Sequence, residues 1–289
     1  MENMHDAAHP AVIARLLHDH DLRPKKSAGQ NFFCDMGLLD KMINSVGIEE
    51  NDYVLEIGPG LGALTQRLAK KAKKVIAVEL DRDLLPVLEE TVGACDNVQV
   101  VSADFLKLSD EELLDLFEGA TTVRMVSNLP YCITTDAMQK LFMSKLPLAS
   151  ITALVQKEAA QRISAKPGEK QYGVTAMMCE HYTNARILYD VPPECFFPRP
   201  GVTSAVIEIR FKTPRPEEAC GDAFLWRVAR GAIAMRRKTI INNLSSAGFA
   251  KDIATEALQE VGIEPSVRAE VLSIEKLAEL ANALHARVK

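Results

Sequence analysis

A glycine-rich loop sits between a strand and a helix, and an acid closes the strand that follows. Tyr53-Val54-Leu55-Glu56-Ile57 is rich in β-branched and aromatic residues and reads as a strand. Gly58-Pro59-Gly60-Leu61-Gly62 comes next, then a helix-patterned stretch through Lys71. A second strand, Lys74 to Val78, ends at Glu79, about 20 residues on, where an acid meets a ribose in nucleotide-binding folds. Glycines let the backbone approach a ligand closely, and the carboxylate accepts hydrogen bonds from ribose hydroxyls. The alternation commits the chain to an α/β fold with a parallel sheet.

The loop is not the dinucleotide fingerprint. That pattern wants its third glycine one residue later and usually lacks the proline. A tight, proline-stiffened loop suits a ligand without a pyrophosphate, and S-adenosylmethionine is such a ligand. A third short strand, Val98 to Val101, is followed by Ser102-Ala103-Asp104. Asp104 is expected at that strand's C-terminal end beside Gly58 and Glu79, where open α/β sheets bind ligands. There it can accept a hydrogen bond from an adenine amine. Its other reading, a helix cap, falls better to Ser109, ahead of a helix over Asp110 to Phe117.

Asn128-Leu129-Pro130-Tyr131 follows the apolar run Val123 to Val126, a buried strand interrupted by Arg124. An Asn, a turn-forming Pro and an aromatic ring at a strand's end suit methylation of a nucleobase's exocyclic amine. That amine is a poor nucleophile because its lone pair is delocalised into the ring. The Asn oxygen and a backbone carbonyl can accept its two hydrogens and hold the lone pair out of conjugation, while the Tyr ring stacks on the base. An Asn-Pro loop that merely ends a strand is the alternative reading.

With 289 residues, the chain has room for one large or two modest domains. No stretch approaches a membrane span, and the N-terminus lacks an apolar signal core. The six cysteines (Cys34, Cys95, Cys132, Cys179, Cys195 and Cys220) show no paired spacing. No zinc or redox motif is expected, and a reducing cytoplasm fits. The net charge of −5 requires any nucleic-acid contact to use local positive charge. Two stretches concentrate it. One is Arg23-Pro24-Lys25-Lys26. The other, Arg227, Arg230, Arg236, Arg237 and Lys238, lies in a stretch read as one helix from Phe224 to Leu244 without an acid among the cations. On that reading Arg230 and Arg237 share a face and make salt-sensitive phosphate contacts; a solvated helix face is the alternative.

Residues up to about Val46 read as helical. Strands and helices then alternate from Tyr53 to the strand Ala205 to Phe211, and Pro214 to Asp222 reads as a linker to an all-helical end. The expected architecture is a mostly parallel sheet with an antiparallel edge strand plus a small C-terminal helical domain. The expected division is 1–212, carrying a helical extension over 1–50, and 213–289.

Together these residues resemble the ribosomal RNA adenine-N6 dimethyltransferase family over most of the chain. Lys26-Ser27-Ala28-Gly29-Gln30-Asn31-Phe32 resembles its N-terminal cofactor segment and Glu56 to Gly62 its glycine loop. Asn128 to Tyr131 resembles its catalytic motif, and Phe196-Phe197-Pro198-Arg199-Pro200-Gly201-Val202-Thr203-Ser204-Ala205-Val206 the late loop over the target base. The resemblance implies a Rossmann-like class I methyltransferase sheet and S-adenosyl-L-methionine as cofactor. It implies dimethylation of two adjacent adenosines in the 3′-terminal hairpin of 16S ribosomal RNA, by a cytoplasmic, RNA-binding monomer acting in small-subunit assembly. On this resemblance Asn31, Phe33, Gly58, Gly60, Glu79, Asp104 and Asn128 hold the cofactor. Asn128, Leu129 and Pro130 orient the amine, and Tyr131 and Phe196 sandwich the base. Arg199 stands where relatives are often uncharged and Phe33 where Leu is common. The alternatives are a 23S ribosomal RNA adenine-N6 methyltransferase of the antibiotic-resistance type and a non-catalytic RNA-binding assembly factor. DNA adenine methyltransferases are disfavoured by Asn128 and the single Pro130.

Overall fold

The computed structural model describes residues 6–25 and 29–288. Lys26, Ser27 and Ala28 lie outside them, so the first part of the expected N-terminal cofactor segment and one cation of the first basic stretch do too.

Seven strands form the main sheet: β2 (Tyr53–Ile57), β3 (Lys74–Glu79), β4 (Val98–Ser102), β5 (Val123–Asn128), β6 (Leu148–Gln156), β7 (Thr183–Val191) and β9 (Ser204–Phe211). Their order is β4-β3-β2-β5-β6-β9-β7. β2 pairs in parallel with β3 and β5, β3 with β4, and β5 with β6, while β9 runs antiparallel to β6. The antiparallel edge expected from sequence is therefore β9 with β7 outside it. Every residue of β2 is buried, as a parallel sheet covered on both faces requires.

The strand order makes β2 and β5 neighbours although two further strands separate them in sequence. The chain winds outward from β2 through β3 and β4, then returns to start again at β5. A crevice opens at such a reversal, outside the carboxyl ends of the strands. The glycine loop leaves β2 there, and Asn128 to Tyr131 leaves β5 beside it.

Helices α1 (Pro10–Asp19), α2 (Met36–Val46), α3 (Ala63–Ala69) and α4 (Leu85–Val92) cover this part of the sheet. α1 begins with Pro10 after a His9 cap whose Nδ1 accepts from Ala11 N at 3.2 Å. It buries Val12, Ile13, Leu16 and Leu17 against Phe32, Leu61, Leu84 and Val87. α2 is capped by Asp35, which accepts from Leu38 N at 2.9 Å, and stops at left-handed Gly47. Its Leu39, Met42, Ile43 and Val46 pack with Val54, Leu68 and Val126. Each such side chain contributes roughly 1.5–3 kcal/mol by leaving water.

The N-terminal region is not wholly helical. Phe32–Phe33 forms β1, which pairs antiparallel with β8 (Phe196–Phe197). Cys34 N extends the ladder to Cys195 O at 2.7 Å. Two adjacent aromatics find a partner pair across the strand rather than a helical face.

Two compact units emerge, 6–160 with 186–210 and 161–185 with 211–288. The second differs from the sequence expectation, which gave 161–185 to the catalytic domain. α8 (Val174–Tyr182), α9 (Asp222–Ile233), α10 (Ile240–Ser246), α11 (Lys251–Glu260) and α12 (Ile274–Arg287) build it. The physical reason is a shared core: Trp226 Nε1 donates to Tyr182 OH at 2.8 Å, and the Arg215 guanidinium lies 4.2 Å from the Tyr182 ring centroid.

The helix expected over Phe224 to Leu244 is two helices. Asn243, 2% exposed, donates Nδ2 to Ala232 O at 2.7 Å and to Met235 O at 3.1 Å. It satisfies carbonyls that a continuous helix would have used, so the chain turns at 234–239 before α10 begins.

Candidate functional site

A cavity of about 350 Å³ opens at the carboxyl ends of β2 to β5, wholly within the first unit. That is within the range of small-ligand sites. Asn31, Phe33, Gly58, Gly60, Glu79, Asp104, Asn128, Leu129 and Pro130 all line it.

The glycine loop forms one wall. Gly58 has φ +72° and donates to Val78 O at 2.9 Å. A Cβ at Gly58 would lie 2.9 Å from Pro130 Cγ, so only glycine lets the two loops meet. Gly60 has φ +59°, and its Cβ would press on the Phe32 ring at 3.3 Å. Bare backbone is thus presented to the cavity.

Gly60 N donates to Glu79 Oε2 at 3.3 Å, and Asp81 N donates to its Oε1 at 2.8 Å. Burial raises the Glu79 carboxyl above the usual range, and these backbone donors offset part of the rise. Asp104 lies at the cavity and accepts from Leu106 N at 3.0 Å; this bond closes a turn, and Asp104 does not cap the next helix. Ser109 forms a full capping box with Glu112 ahead of α5 (Asp110–Leu116).

Asn128, the last residue of β5, donates Nδ2 to the backbone carbonyl of Asn31 at 2.8 Å. That bond fixes the amide's orientation and leaves Oδ1 as the acceptor. Asn31 is itself held by Nδ2 donating to Gly29 O at 3.0 Å. Leu129 N donates to Leu154 O at 3.0 Å and its side chain is fully buried, so Leu129 offers the cavity backbone, not side chain. The Pro130 carbonyl accepts from Ile133 N and Thr134 Oγ1, each at 3.2 Å, and closes the turn into α6 (Thr134–Met143). The Tyr131 hydroxyl sits 2.6 Å from Ser204 Oγ. Burial raises its pKa, so it stays neutral.

Phe196 departs from expectation. It is 4% exposed and stacks on Phe33, with centroids 5.2 Å apart and planes 19° apart. With its ring spent inside the core, it presents no open face to a base. The next residue, Phe197, points to the other side of the strand and is 48% exposed. Arg199 pairs with Glu194, both side chains being exposed.

Sequence reasoning left three features of the cavity unassigned. Glu56 lines it while only 1% exposed. A charged residue inside an otherwise apolar strand was the available signal. Lys25 ion-pairs with Asp81 at 2.7 Å and Asp83 at 2.6 Å, and Gln30 Nε2 donates to Asp81 at 2.7 Å, tying the N-terminal segment to the cavity's edge. Leu80, 66% exposed, lines the cavity as well.

The second basic stretch belongs to the other unit. Arg227 stacks over the Phe249 ring at 4.9 Å, and Arg230 is exposed near the end of α9. Arg236, Arg237 and Lys238 are on the 234–239 turn, so Arg230 and Arg237 do not share a helix face. Arg236 is committed to Glu270 at 2.8 Å and donates to Tyr172 O at 3.2 Å. Among the described residues no cluster suited to a metal ion and no helix long and apolar enough to cross a membrane occurs.

Residues 22–286 match the family described as Ribosomal RNA adenine dimethylase. The chain is 41% identical to the ribosomal RNA small subunit methyltransferase A of Shouchella clausii, over 98% of this chain and 97% of that one. It is 42% identical to the protein of that name from Bacillus mycoides, over 97% and 98%. The fold is shared with a dimethyladenosine transferase from Plasmodium falciparum (TM-score 0.70, 22% identity, 85% of this chain and 94% of that one). It is also shared with the 23S rRNA methyltransferase ErmE (TM-score 0.65, 22% identity, 88% and 99%). The chain belongs to the ribosomal RNA adenine dimethylase family.

Proposed function

We propose that this chain transfers methyl groups from S-adenosyl-L-methionine to N6 of two adjacent adenosines in the 3′-terminal hairpin of 16S ribosomal RNA. The products are N6,N6-dimethyladenosines, formed during small-subunit assembly. The observation that carries this reading is the Asn128 amide, aimed by Asn31 O at the mouth of a cavity walled by Gly58, Gly60 and Glu79.

The donors present fit the cofactor. Glycine backbone gives an unobstructed cradle, Glu79 is placed for ribose hydroxyls, and Leu80, Phe105 and Ile57 supply apolar wall. S-adenosylmethionine, when bound, supplies a methyl group on a positively charged sulfur. Asp104 lies where it can accept from an adenine amine. Asn31 acts through its backbone, which holds Asn128.

Asn128 Oδ1 accepts one hydrogen of the target amine. The second acceptor is the Leu129 carbonyl, because the Pro130 carbonyl is already engaged in its turn. Two acceptors draw the amine toward tetrahedral geometry and expose its lone pair. Tyr131 is held by Ser204 with its ring available to stack on an extruded base. Rate enhancement then comes from positioning. After transfer the amine nitrogen is strongly acidic, and its proton passes to water.

The relatives at 41% and 42% identity carry the small-subunit name, which favours 16S over 23S ribosomal RNA. The likeness to ErmE at 22% identity bears on fold alone. The reading includes a cytoplasmic monomer. In the helical unit, Arg227, Arg230, Arg237 and Lys238 serve phosphate contact. The experiment is transfer of labelled methyl groups into purified 30S and 50S particles lacking the modification, with mass spectrometry of the RNA. Dimethyladenosine in 16S RNA alone is expected. Label in 23S RNA, or binding without transfer, overturns the reading.

A further inference from the structure

Glu56 sits in the cavity without a role in holding ribose or adenine. It is the fourth residue of the fully buried strand β2, and only 1% of it is exposed. Among the described residues its one hydrogen-bond partner is Thr65 Oγ1, which donates to Oε2 at 2.7 Å from α3. Its neighbour Glu79 is buried too, but receives backbone N–H groups from Gly60 and Asp81. The two acids therefore differ in how well a negative charge is supported.

Among the described residues, the charged groups around Glu56 offer no cation to balance it. β3 contributes Glu79, and the loops after β3 and β4 contribute Asp81 and Asp104 to the same cavity. Lys25 from the N-terminal segment lines the cavity, but its ammonium is held between Asp81 and Asp83. From α3 the one polar partner is Thr65; Arg67 on that helix is bound to Asp6 and Asp40. From the β5 end come Asn128, which is neutral, and the Cys132 thiol. A carboxylate at Glu56 would be a buried charge with one hydroxyl for company and acids nearby, a costly arrangement. Burial, followed by the charge of Glu79, pushes its pKa up to about 8, with the Thr65 hydroxyl opposing.

We infer that Glu56 carries a proton in the empty cavity and gives it up when the methyl donor's positive charge enters, so that donor binding, unlike product binding, is coupled to proton release. The inference rests on the cavity being the cofactor site. The O–H bond of the Glu56 carboxyl breaks, the proton goes to solvent, and the negative charge left on the carboxylate offsets the positive charge that the donor would bring into the cavity. The product differs from the donor by the loss of that sulfur charge, and so leaves the acid neutral. The same group thereby discriminates charged donor from neutral product, which must leave twice for each adenine that is dimethylated.

The test is calorimetric titration of the full chain with S-adenosylmethionine and, separately, S-adenosylhomocysteine. Each is run near pH 7 in two buffers of different ionisation enthalpy. Release on the order of one proton per donor bound is expected, with little release for the product. From pH 8 to pH 6 donor affinity falls by up to about tenfold per unit, while product affinity stays flat. Glu56→Gln abolishes the donor's proton release and its pH dependence and leaves product binding intact. Equal release with both ligands, no release with the donor, or release that persists in Glu56→Gln overturns the inference. Failure of both ligands to bind wild-type protein refutes the cavity assignment instead. The wild-type titrations decide the matter even if the variant folds poorly.

Discussion

Asn128 Nδ2 and Asn31 O are 2.8 Å apart, and this contact joins residues 97 positions apart in the chain. It ties the N-terminal segment to the residue proposed to hold the target amine. With the amide nitrogen committed, Oδ1 is the atom available to the target amine. Asn128→Ala is expected to lower turnover by about 10²–10³-fold, the usual effect of removing one transition-state hydrogen bond, with donor binding weakened far less. Single-turnover methyl transfer beside calorimetric donor binding measures both. Full turnover in the variant would remove Asn128 from the mechanism.

Phe196 and Phe197 separate the roles of core and surface. Phe196 is stacked on Phe33 inside a hydrophobic core of the first unit, so Phe196→Ala should destabilise the fold by about 3–5 kcal/mol. Phe197, exposed beside it, is the ring free to meet a base. Phe197→Ala should leave the melting temperature nearly unchanged and weaken RNA binding by about 1–3 kcal/mol. Melting curves and KM for the RNA on both variants test this. An intact Phe196→Ala fold with lost base binding would restore the assignment read from sequence.

The gathering of Gly58, Gly60 and Glu79 at one cavity was legible because local sequence dictates it: a tight turn and a strand tip are both visible in spacing. Ser109 was legible for the same reason, since a capping box spans only four residues. Phe196 and the basic turn were not. Whether a ring faces a core or a crevice depends on what pairs across β1 and β8. Whether residues 234–239 continue a helix depends on Asn243, which reaches back to Ala232 O and Met235 O. Glu56 stands in plain view in the glycine-loop motif, but only the assembled sheet reveals that no cation among the described residues accompanies it.

The same buried acid makes a prediction about stability. Glu56 has a folded pKa of about 8, raised above its unfolded value of about 4.3. Its protonated burial contributes stability that is fully present below pH ~4.3 and lost as pH rises through about 8. Glu56→Gln mimics the protonated form at every pH. Without ligand, the variant should therefore melt higher than wild type at pH 8, by an amount on the order of a few kcal/mol. The difference should narrow toward pH 5. Thermal unfolding of both proteins across this range checks the sign, and a constant offset between the curves would contradict it.

The turn at 234–239 divides structural cations from available ones. Arg236 is tied to Glu270 and to the Tyr172 carbonyl, so its loss strands a partly buried carboxylate and frees a turn. Arg236→Ala should destabilise the protein by about 1 kcal/mol, more than an ordinary surface pair would. Arg237 and Lys238 are exposed on the same turn. Arg237→Ala with Lys238→Ala should leave the melting temperature within experimental error of wild type. If both touch phosphate, RNA affinity falls and the slope of log K against log salt shrinks by about one for each cation removed. Binding titrations at several salt concentrations read that slope. An unchanged slope in the double variant would mean that these cations are solvated, and that phosphate contact in this unit falls to Arg227 and Arg230.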